Sequence, residues 1–148
     1  MMRALRFLVL PLVLLGLVSC GSDSKAANTT STPTAAAGLA NTAWTLSGDG
    51  GSVFVPVGSG VGAAFTDTAI SGNSGCNQFT GTYQTTAGNG LTISGLAGTK
   101  MACDAKVMTF ETEYLARLGR VATYEIKGNV LRMLDGNGTL ILTFLAKV

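Results

Sequence analysis

Residues 104–118 read DAKVMTFETEYLARL, and this stretch is the one helical pattern in a chain that otherwise looks like short strands. Large apolar side chains recur at spacings of three and four, at Val107, Phe110, Tyr114 and Leu118. That spacing places them in one stripe along a helix. Asp104 is suited to cap the amino end, and Gly119 stands where helices commonly stop. We expect the remaining polar side chains to face water, at Glu111, Glu113 and Arg117.

Outward from the helix, short apolar segments on both sides indicate strands. They are 42–46, 53–55, 61–65, 79–85 and 91–93 before the helix, and 121–127, 130–135 and 139–146 after it, with a turn expected at 49–51. Asn89-Gly90 is a hairpin-turn signal, because both residues tolerate a positive φ. Residues 140–145 are almost all apolar, which favours a strand buried on both faces. We therefore predict an α+β fold: an antiparallel, strongly curved sheet or partial barrel with one helix packed against it.

Composition argues against several classes of function. The 148 residues include 10 Lys and Arg, 8 Asp and Glu, and no His. The balanced charge lacks the basic face of a nucleic-acid binder. The absence of His removes the commonest general base and a common metal ligand. Glu111 and Glu113 are two apart on a helix, so they do not face each other as a glycosidase pair would. We predict a monomer that is not an enzyme, with no catalytic residue, no metal site and no cofactor.

The amino terminus is typical of an export signal. Arg3 and Arg6 precede an apolar run over 7–18, which is shorter than the ~20 residues of a membrane-spanning helix. The run ends in Leu-Val-Ser-Cys at Cys20, which resembles a bacterial lipobox. The simpler alternative is an ordinary secretory signal in which Cys20 has no special role. The lipobox interpretation predicts a lipoprotein signal peptide at 1–19, a lipidated Cys20 followed by a disordered Ser/Thr/Ala tether to residue 38, and one domain at 39–148.

Lipidation at Cys20 would anchor the protein in the bacterial cell envelope, since two or more acyl chains hold a protein stably at a membrane. Residue 21 is Gly, and not the Asp that often retains such lipoproteins at the inner membrane. We therefore expect the outer membrane if the organism has one. Loss of 1–19 removes Arg3 and Arg6 and leaves equal numbers of basic and acidic side chains, so the charge of the mature chain does not steer it to anionic partners.

The most distinctive remaining sequence is SGNSGCNQFTGTY at 71–83, together with TKMAC at 99–103. Cys76 and Cys103 are the cysteines left once Cys20 is acylated. An oxidising compartment favours a disulfide between them over two free thiols.

These two segments resemble the META domain family, which includes the HslJ-type heat-shock lipoproteins of bacteria. The resemblance rests on three motifs: Gly75-Cys76-Asn77, Gly81-Thr82-Tyr83 and Thr99-Lys100-Met101-Ala102-Cys103. It extends over residues 39–148. It implies a small α+β domain of the cell envelope, linked to stress tolerance, with no established catalytic activity. It further implies that Gly75, Asn77, Gly81, Tyr83, Thr99 and Met101 have structural or binding roles.

Three functions remain open at this point, and the one that the residues support least is an enzyme or an inhibitor of one. The first is a non-catalytic binding or stress-protective module that meets an envelope protein at the membrane surface. The second is a carrier of an acyl chain or another apolar ligand, because the family's fold is likened to pilotins that hold such a chain. A carrier would leave part of its interior open along the closing strands, at Leu131, Met133, Leu140, Leu142 and Phe144. A filled interior is the stronger expectation, since an open one sacrifices apolar burial.

Overall fold

The computed structural model of this protein describes residues 38–48 and 60–148. All of them belong to the compact unit Pro33–Val148. The predicted signal peptide, Cys20 and almost all of the predicted tether lie outside the described residues, as do the turn and the apolar stretch expected between 49 and 55. Within the part of the chain that is described, no helix is both long and apolar enough to cross a membrane.

The described residues form eight strands and one helix. In chain order these are β1 (Thr42–Gly48), β2 (Gly62–Phe65), β3 (Ala69–Asn73), β4 (Gln78–Thr86), β5 (Gly90–Gly98), α1 (Ala105–Leu118), β6 (Val121–Lys127), β7 (Val130–Asp135) and β8 (Leu140–Ala146). Asp104 caps α1 through a hydrogen bond from the Lys106 nitrogen to Oδ1, at 2.9 Å. The predicted α+β class, antiparallel sheet and single helix are all present.

The sheet is a closed barrel in which each strand pairs antiparallel with the next. β8 returns to pair with β1, and Phe144 lies opposite Leu46. The weakest contact is the one between β5 and β6, which share a single registered pair, Gly90 with Thr123. Because α1 connects these two strands, the helix enters the fold at the place where the barrel is least tightly hydrogen-bonded.

The strand directions define two ends of the barrel. β3 runs from Ala69 to Asn73 and turns into β4, so the β3–β4 loop lies at one end, which we call the loop end. β5 finishes at this same end, so the segment 99–104 that leads into α1 starts beside the β3–β4 loop. The opposite end, which we call the hairpin end, carries the β2–β3 turn at 66–68 and the β4–β5 hairpin at 87–89.

The apolar stripe of α1 closes the core. Phe110, Tyr114 and Leu118 are buried. The Tyr114 ring lies between Phe79 of β4 and Phe144 of β8, with centroid distances of 5.9 and 6.4 Å. These contacts join the helix to strands from both halves of the barrel, so the helix is part of a single core.

The last strand differs from its prediction. Leu145 is 43% exposed, and Thr143 and Leu140 are only half-buried. β8 lines the barrel with one face, and its other face meets solvent at Thr143 and Leu145 while Ile141 on that face is buried, so only part of the strand is covered on both sides.

The interior is filled at four of the five positions that a carrier would leave open, and the fifth, Leu140, is half-buried. The side chains of Leu131, Met133, Leu142 and Phe144 have no solvent-accessible surface. A wall that faced a cavity large enough for an acyl chain would retain accessible area, so these four side chains do not border such a cavity.

Candidate functional site at the disulfide loop

The predicted disulfide joins Cys76 to Cys103, with 6.0 Å between the two Cα atoms. Cys76 lies in the β3–β4 loop, and Cys103 precedes the cap of α1. We use the name disulfide loop for residues 73–77. The bond therefore ties the disulfide loop to the entry of the helix at the loop end of the barrel.

A carboxylate from α1 occupies the centre of this loop. Glu111 Oε2 accepts hydrogen bonds from the backbone nitrogens of Asn77 and Cys76, at 2.8 and 3.3 Å. The Ser74 hydroxyl lies 2.7 Å from the same oxygen, and Asn77 Nδ2 donates to Oε1 at 2.7 Å. The loop thus wraps a ring of donors around a negative charge, an arrangement that turns in other proteins use to bind anions.

The loop can adopt this shape because of Gly75. Its φ is +125°, a conformation that side chains with a Cβ rarely adopt. A Cβ at this position would also lie 3.3 Å from Val107 Cγ1 and 3.5 Å from the Phe110 ring. Asn73 Oδ1 accepts from the Gly75 nitrogen at 2.7 Å and stabilises the turn. Gly75 is therefore required both by the turn and by the close approach of the helix.

Asn77 connects three segments of the chain. Its amide nitrogen donates to Glu111, while its oxygen accepts from Thr99 Oγ1 and from the Met101 nitrogen, each at 2.7 Å. The side chain is buried. These bonds give Asn77, Thr99 and Met101 one shared role, because together they fix the segment before α1 against the disulfide loop.

The donors also set the charge state of the site. Burial raises the pKa of the Glu111 carboxyl, but the hydrogen bonds from Ser74, Asn77 and Cys76 outweigh it. The pKa of Glu111 therefore lies below its ordinary value, and the group is ionised at neutral pH. A carboxylate held in this way is a poor general base, because its lone pairs are already committed to donors.

The sequence-based expectation that Glu111 faces water is wrong. Residue 111 follows Val107 by four positions and precedes Tyr114 by three, so it lies on the same helix face as the apolar stripe. That spacing was the signal that could have identified it. A second signal was the loop itself, since Ser74 and Asn77 bring polar groups that need partners once they are buried.

Two of the predicted motif residues serve other parts of the barrel. A Cβ at Gly81 would lie 2.9 Å from the Ser94 carbonyl oxygen, beside the irregularity in the β4–β5 pairing, so close strand approach explains this glycine. Tyr83 donates its hydroxyl to the Thr66 carbonyl at 2.6 Å, at the hairpin end. Neither residue makes a hydrogen bond to Glu111 or to the disulfide loop.

The exposed surface beside the disulfide loop carries apolar side chains on a backbone that hydrogen bonds and the disulfide hold in place. The Met101 side chain is 59% exposed, although its backbone is held by Asn77 and lies two residues from the disulfide. Met108, on the first turns of α1, is 43% exposed. Among the residues that the structure describes, no group of three His, Cys, Asp or Glu side chains is arranged to hold a metal ion. Because Met101 and Met108 are exposed, the site can present flexible thioether side chains for contact, as Met-rich binding surfaces do.

Known structures share this architecture. The chain is similar to the NMR structure of a protein from Burkholderia xenovorans, with 26% identity, a TM-score of 0.62, and coverage of 74% of this chain and 84% of the other. A crystal structure of a DUF4847 family protein from Bacteroides vulgatus shares the fold at 16% identity and a TM-score of 0.53, with 72% and 93% of the two chains covered. No curated protein matches the sequence.

The family assignment rests on a longer match. The model of the META domain family matches residues 37–148, which include every described strand, the helix and the disulfide loop. The match spans well over half of the chain and agrees with the resemblance of the three sequence motifs. The chain therefore belongs to the META domain family.

Proposed function

We propose that this protein is a lipid-anchored lipoprotein of the bacterial cell envelope whose META domain acts by binding a partner protein, and not by catalysis. The observation that carries the proposal is the exposed Met101 side chain on a backbone fixed by Asn77 and by the nearby disulfide. A fixed backbone lowers the entropy lost on binding, and a thioether adapts to an apolar surface. We infer a protective role in envelope stress from the family.

The chemistry of the loop end supports binding over catalysis. The oxygens of Glu111 are already committed to donors of the disulfide loop, and these donors lower its pKa. The deepest titratable group, the Tyr114 hydroxyl, is sealed within the core, where burial raises its pKa. Neither group is available to a substrate.

The carrier alternative lacks support in the described residues. Leu131, Met133, Leu142 and Phe144 have no accessible surface, and the ring of Tyr114 fills the space between two strands of the barrel. An apolar ligand would have to displace these side chains, at a cost of about 25 cal/mol for each Å² of apolar area exposed again.

The binding surface is tested by photo-crosslinking in living cells. A photoreactive amino acid at position 101 should capture a defined envelope protein, identified by mass spectrometry. The matched control is position 145, since Leu145 is also an exposed apolar side chain but lies on the barrel wall. Equal capture at both positions, or none at 101, would contradict the proposed surface.

The membrane anchor is tested separately at Cys20. Mass spectrometry of the membrane fraction should find a mature chain that begins at Cys20 and carries acyl groups. Cys20→Ala should abolish acylation and leave the domain folded, because Cys20 lies outside the META match. A mature chain that keeps residues 1–19, or a product cut elsewhere, would refute lipidation without touching the binding surface.

A further inference from the structure

A second site lies at the hairpin end of the barrel, away from the disulfide loop. It is an open pocket of about 410 Å³, whose lining includes Leu39, Asp67, Tyr83, Gln84 and Tyr124. Its volume falls within the range of small-molecule sites, which is about 300–1,000 Å³. Because its residues come from the chain entry, the β2–β3 turn, β4 and β6, the pocket exists only in the folded barrel.

The charge of this pocket is one-sided. Asp67 is the charged residue of its described lining, and that lining includes no Lys or Arg. One carboxylate oxygen, Oδ1, accepts from Asn41 Nδ2 at 3.2 Å. The other oxygen makes no hydrogen bond with any residue that the structure describes. A carboxylate without a basic neighbour favours a positively charged ligand.

Two phenol oxygens complete the set of acceptors. Tyr83 directs its only hydroxyl proton to the Thr66 carbonyl, at 2.6 Å, which leaves the lone pairs of its oxygen to accept. Tyr124 also lines the pocket, and its hydroxyl makes no hydrogen bond with any described residue. Burial, the Asp67 carboxylate and Tyr124 raise the pKa of Tyr83, as expected where these groups lie close together.

We propose that this pocket binds the primary ammonium group of a small organic amine, with Asp67, Tyr83 and Tyr124 accepting its hydrogen bonds and the exposed Ala40 of the lining contacting its alkyl part. An ammonium group carries three N–H donors and no acceptor, which matches a pocket lined by three residues with acceptor oxygens. The proposal does not depend on the partner surface at Met101, since the two sites lie at opposite ends of the barrel.

The test is a titration of the full chain, followed by two-dimensional NMR. The probe is n-butylammonium chloride, and 1-butanol is the neutral control of the same length. We expect saturable shifts for pocket residues with a dissociation constant of about 1 mM, within the range that five non-hydrogen atoms can supply. Butanol should bind at least about tenfold more weakly, because it lacks the charge-assisted hydrogen bonds.

Variants assign the recognition to its residues. Asp67→Asn should weaken amine binding about tenfold, and Tyr124→Phe should weaken it by a smaller factor. Glu113→Gln removes the same charge from α1, outside the pocket, and should leave binding unchanged. Saturation that is equal for amine and alcohol, unchanged binding in Asp67→Asn, or the absence of saturable shifts would each overturn the proposal.

Discussion

Glu111 Oε2 lies 2.8 Å from the backbone nitrogen of Asn77, 34 residues earlier in the chain. This bond joins the middle of α1 to the disulfide loop, while the Cys76–Cys103 disulfide joins the same loop to the start of the helix. The loop is thus held at two points along one helix. Its conformation depends on a charge as well as on a covalent bond, and the two contributions can be measured separately.

Replacement of the charge should destabilise the fold. Glu111→Gln keeps the shape of the side chain but turns an amide group toward donors that need an acceptor. Hydrogen bonds to charged groups contribute about 1.5–3 kcal/mol, so we expect the free energy of unfolding to fall by about 2–3 kcal/mol. Urea denaturation at pH 7 measures the change.

Glu113→Gln is the matched control. Glu113 is 46% exposed and lies 3.9 Å from Arg117 as an i,i+4 pair. Surface pairs of this kind are worth little, so we expect a change within about 0.5 kcal/mol. Equal losses in the two variants would show that the donors around Glu111 contribute nothing specific.

Acid should weaken the protein through the same carboxylate. The folded-state pKa of Glu111 lies below its ordinary value of 4.5. A group of this kind contributes stability that is fully present above its unfolded pKa and is lost as the pH falls through the folded one. Between pH 7 and pH 3, wild-type stability should therefore decline more than that of Glu111→Gln. Parallel pH profiles for the two proteins would contradict the assignment.

The disulfide should contribute strongly and should couple to Glu111. With a sequence separation of 27, the chain-entropy model gives about 3.5 kcal/mol for its loss in a Cys76→Ala, Cys103→Ala variant. Since both constraints hold one loop, the triple variant with Glu111→Gln should depart from additivity by at least about 0.5 kcal/mol. Additive losses would mean that the disulfide and Glu111 stabilise the protein independently of each other. Two free thiols in folded, air-purified protein would refute the disulfide itself.

Two buried tyrosines should respond oppositely to loss of the hydroxyl. Tyr114 Oη is buried and has no hydrogen-bond partner among the described residues. Tyr114→Phe should therefore be neutral or stabilise the protein by up to about 1 kcal/mol, since no bond is lost. Tyr83→Phe leaves the Thr66 carbonyl without its donor and should cost about 1 kcal/mol. Thermal unfolding measures the stability of both variants. A larger loss of stability in Tyr114→Phe than in Tyr83→Phe would contradict the prediction.

The stability cost of adding a Cβ can be compared at two glycines that lie in different turns of the barrel. Gly75→Ala places a Cβ on a residue with φ +125° and close to Val107, so we expect a loss of about 1–3 kcal/mol. Gly136→Ala meets nothing within 4 Å and has no positive φ, and it should change stability by less than about 1 kcal/mol. Similar values for the two variants would show that the turn at Gly75 is not strained by a side chain.

Patterns that repeat locally are visible in the amino-acid sequence alone. The stripe of Phe110, Tyr114 and Leu118 predicted the helix and its buried face, because three- and four-residue spacing is a property of a helix alone. The turn before β5 is equally local, but its positive φ values fall on Gly88 and Asn89, at 76° and 61°, one residue earlier than the Asn89-Gly90 signal predicted. The oxidising compartment inferred from the export signal, with Cys76 and Cys103 the cysteines left over, was enough to predict their pairing.

Contacts that join distant segments required the tertiary structure. Whether the sheet closed depended on the pairing of β8 with β1, which no pattern within either strand specifies. The exposure of Leu145 also required the tertiary structure. A nearly continuous apolar run can form a strand that is buried on both faces or one that has a face exposed to solvent. The pocket at Asp67 likewise draws its lining from four separated segments.

The sequence by itself determined the α+β class, the position and apolar face of the helix, the two cysteines that pair and the family. Only the tertiary structure decided that Glu111 points into the disulfide loop. The reason is physical: helical periodicity states which side of α1 a residue occupies, but its partner depends on what the barrel brings to that side. Here the barrel brings the backbone nitrogens of Cys76 and Asn77, and buried donors of that kind make a carboxylate the favourable neighbour.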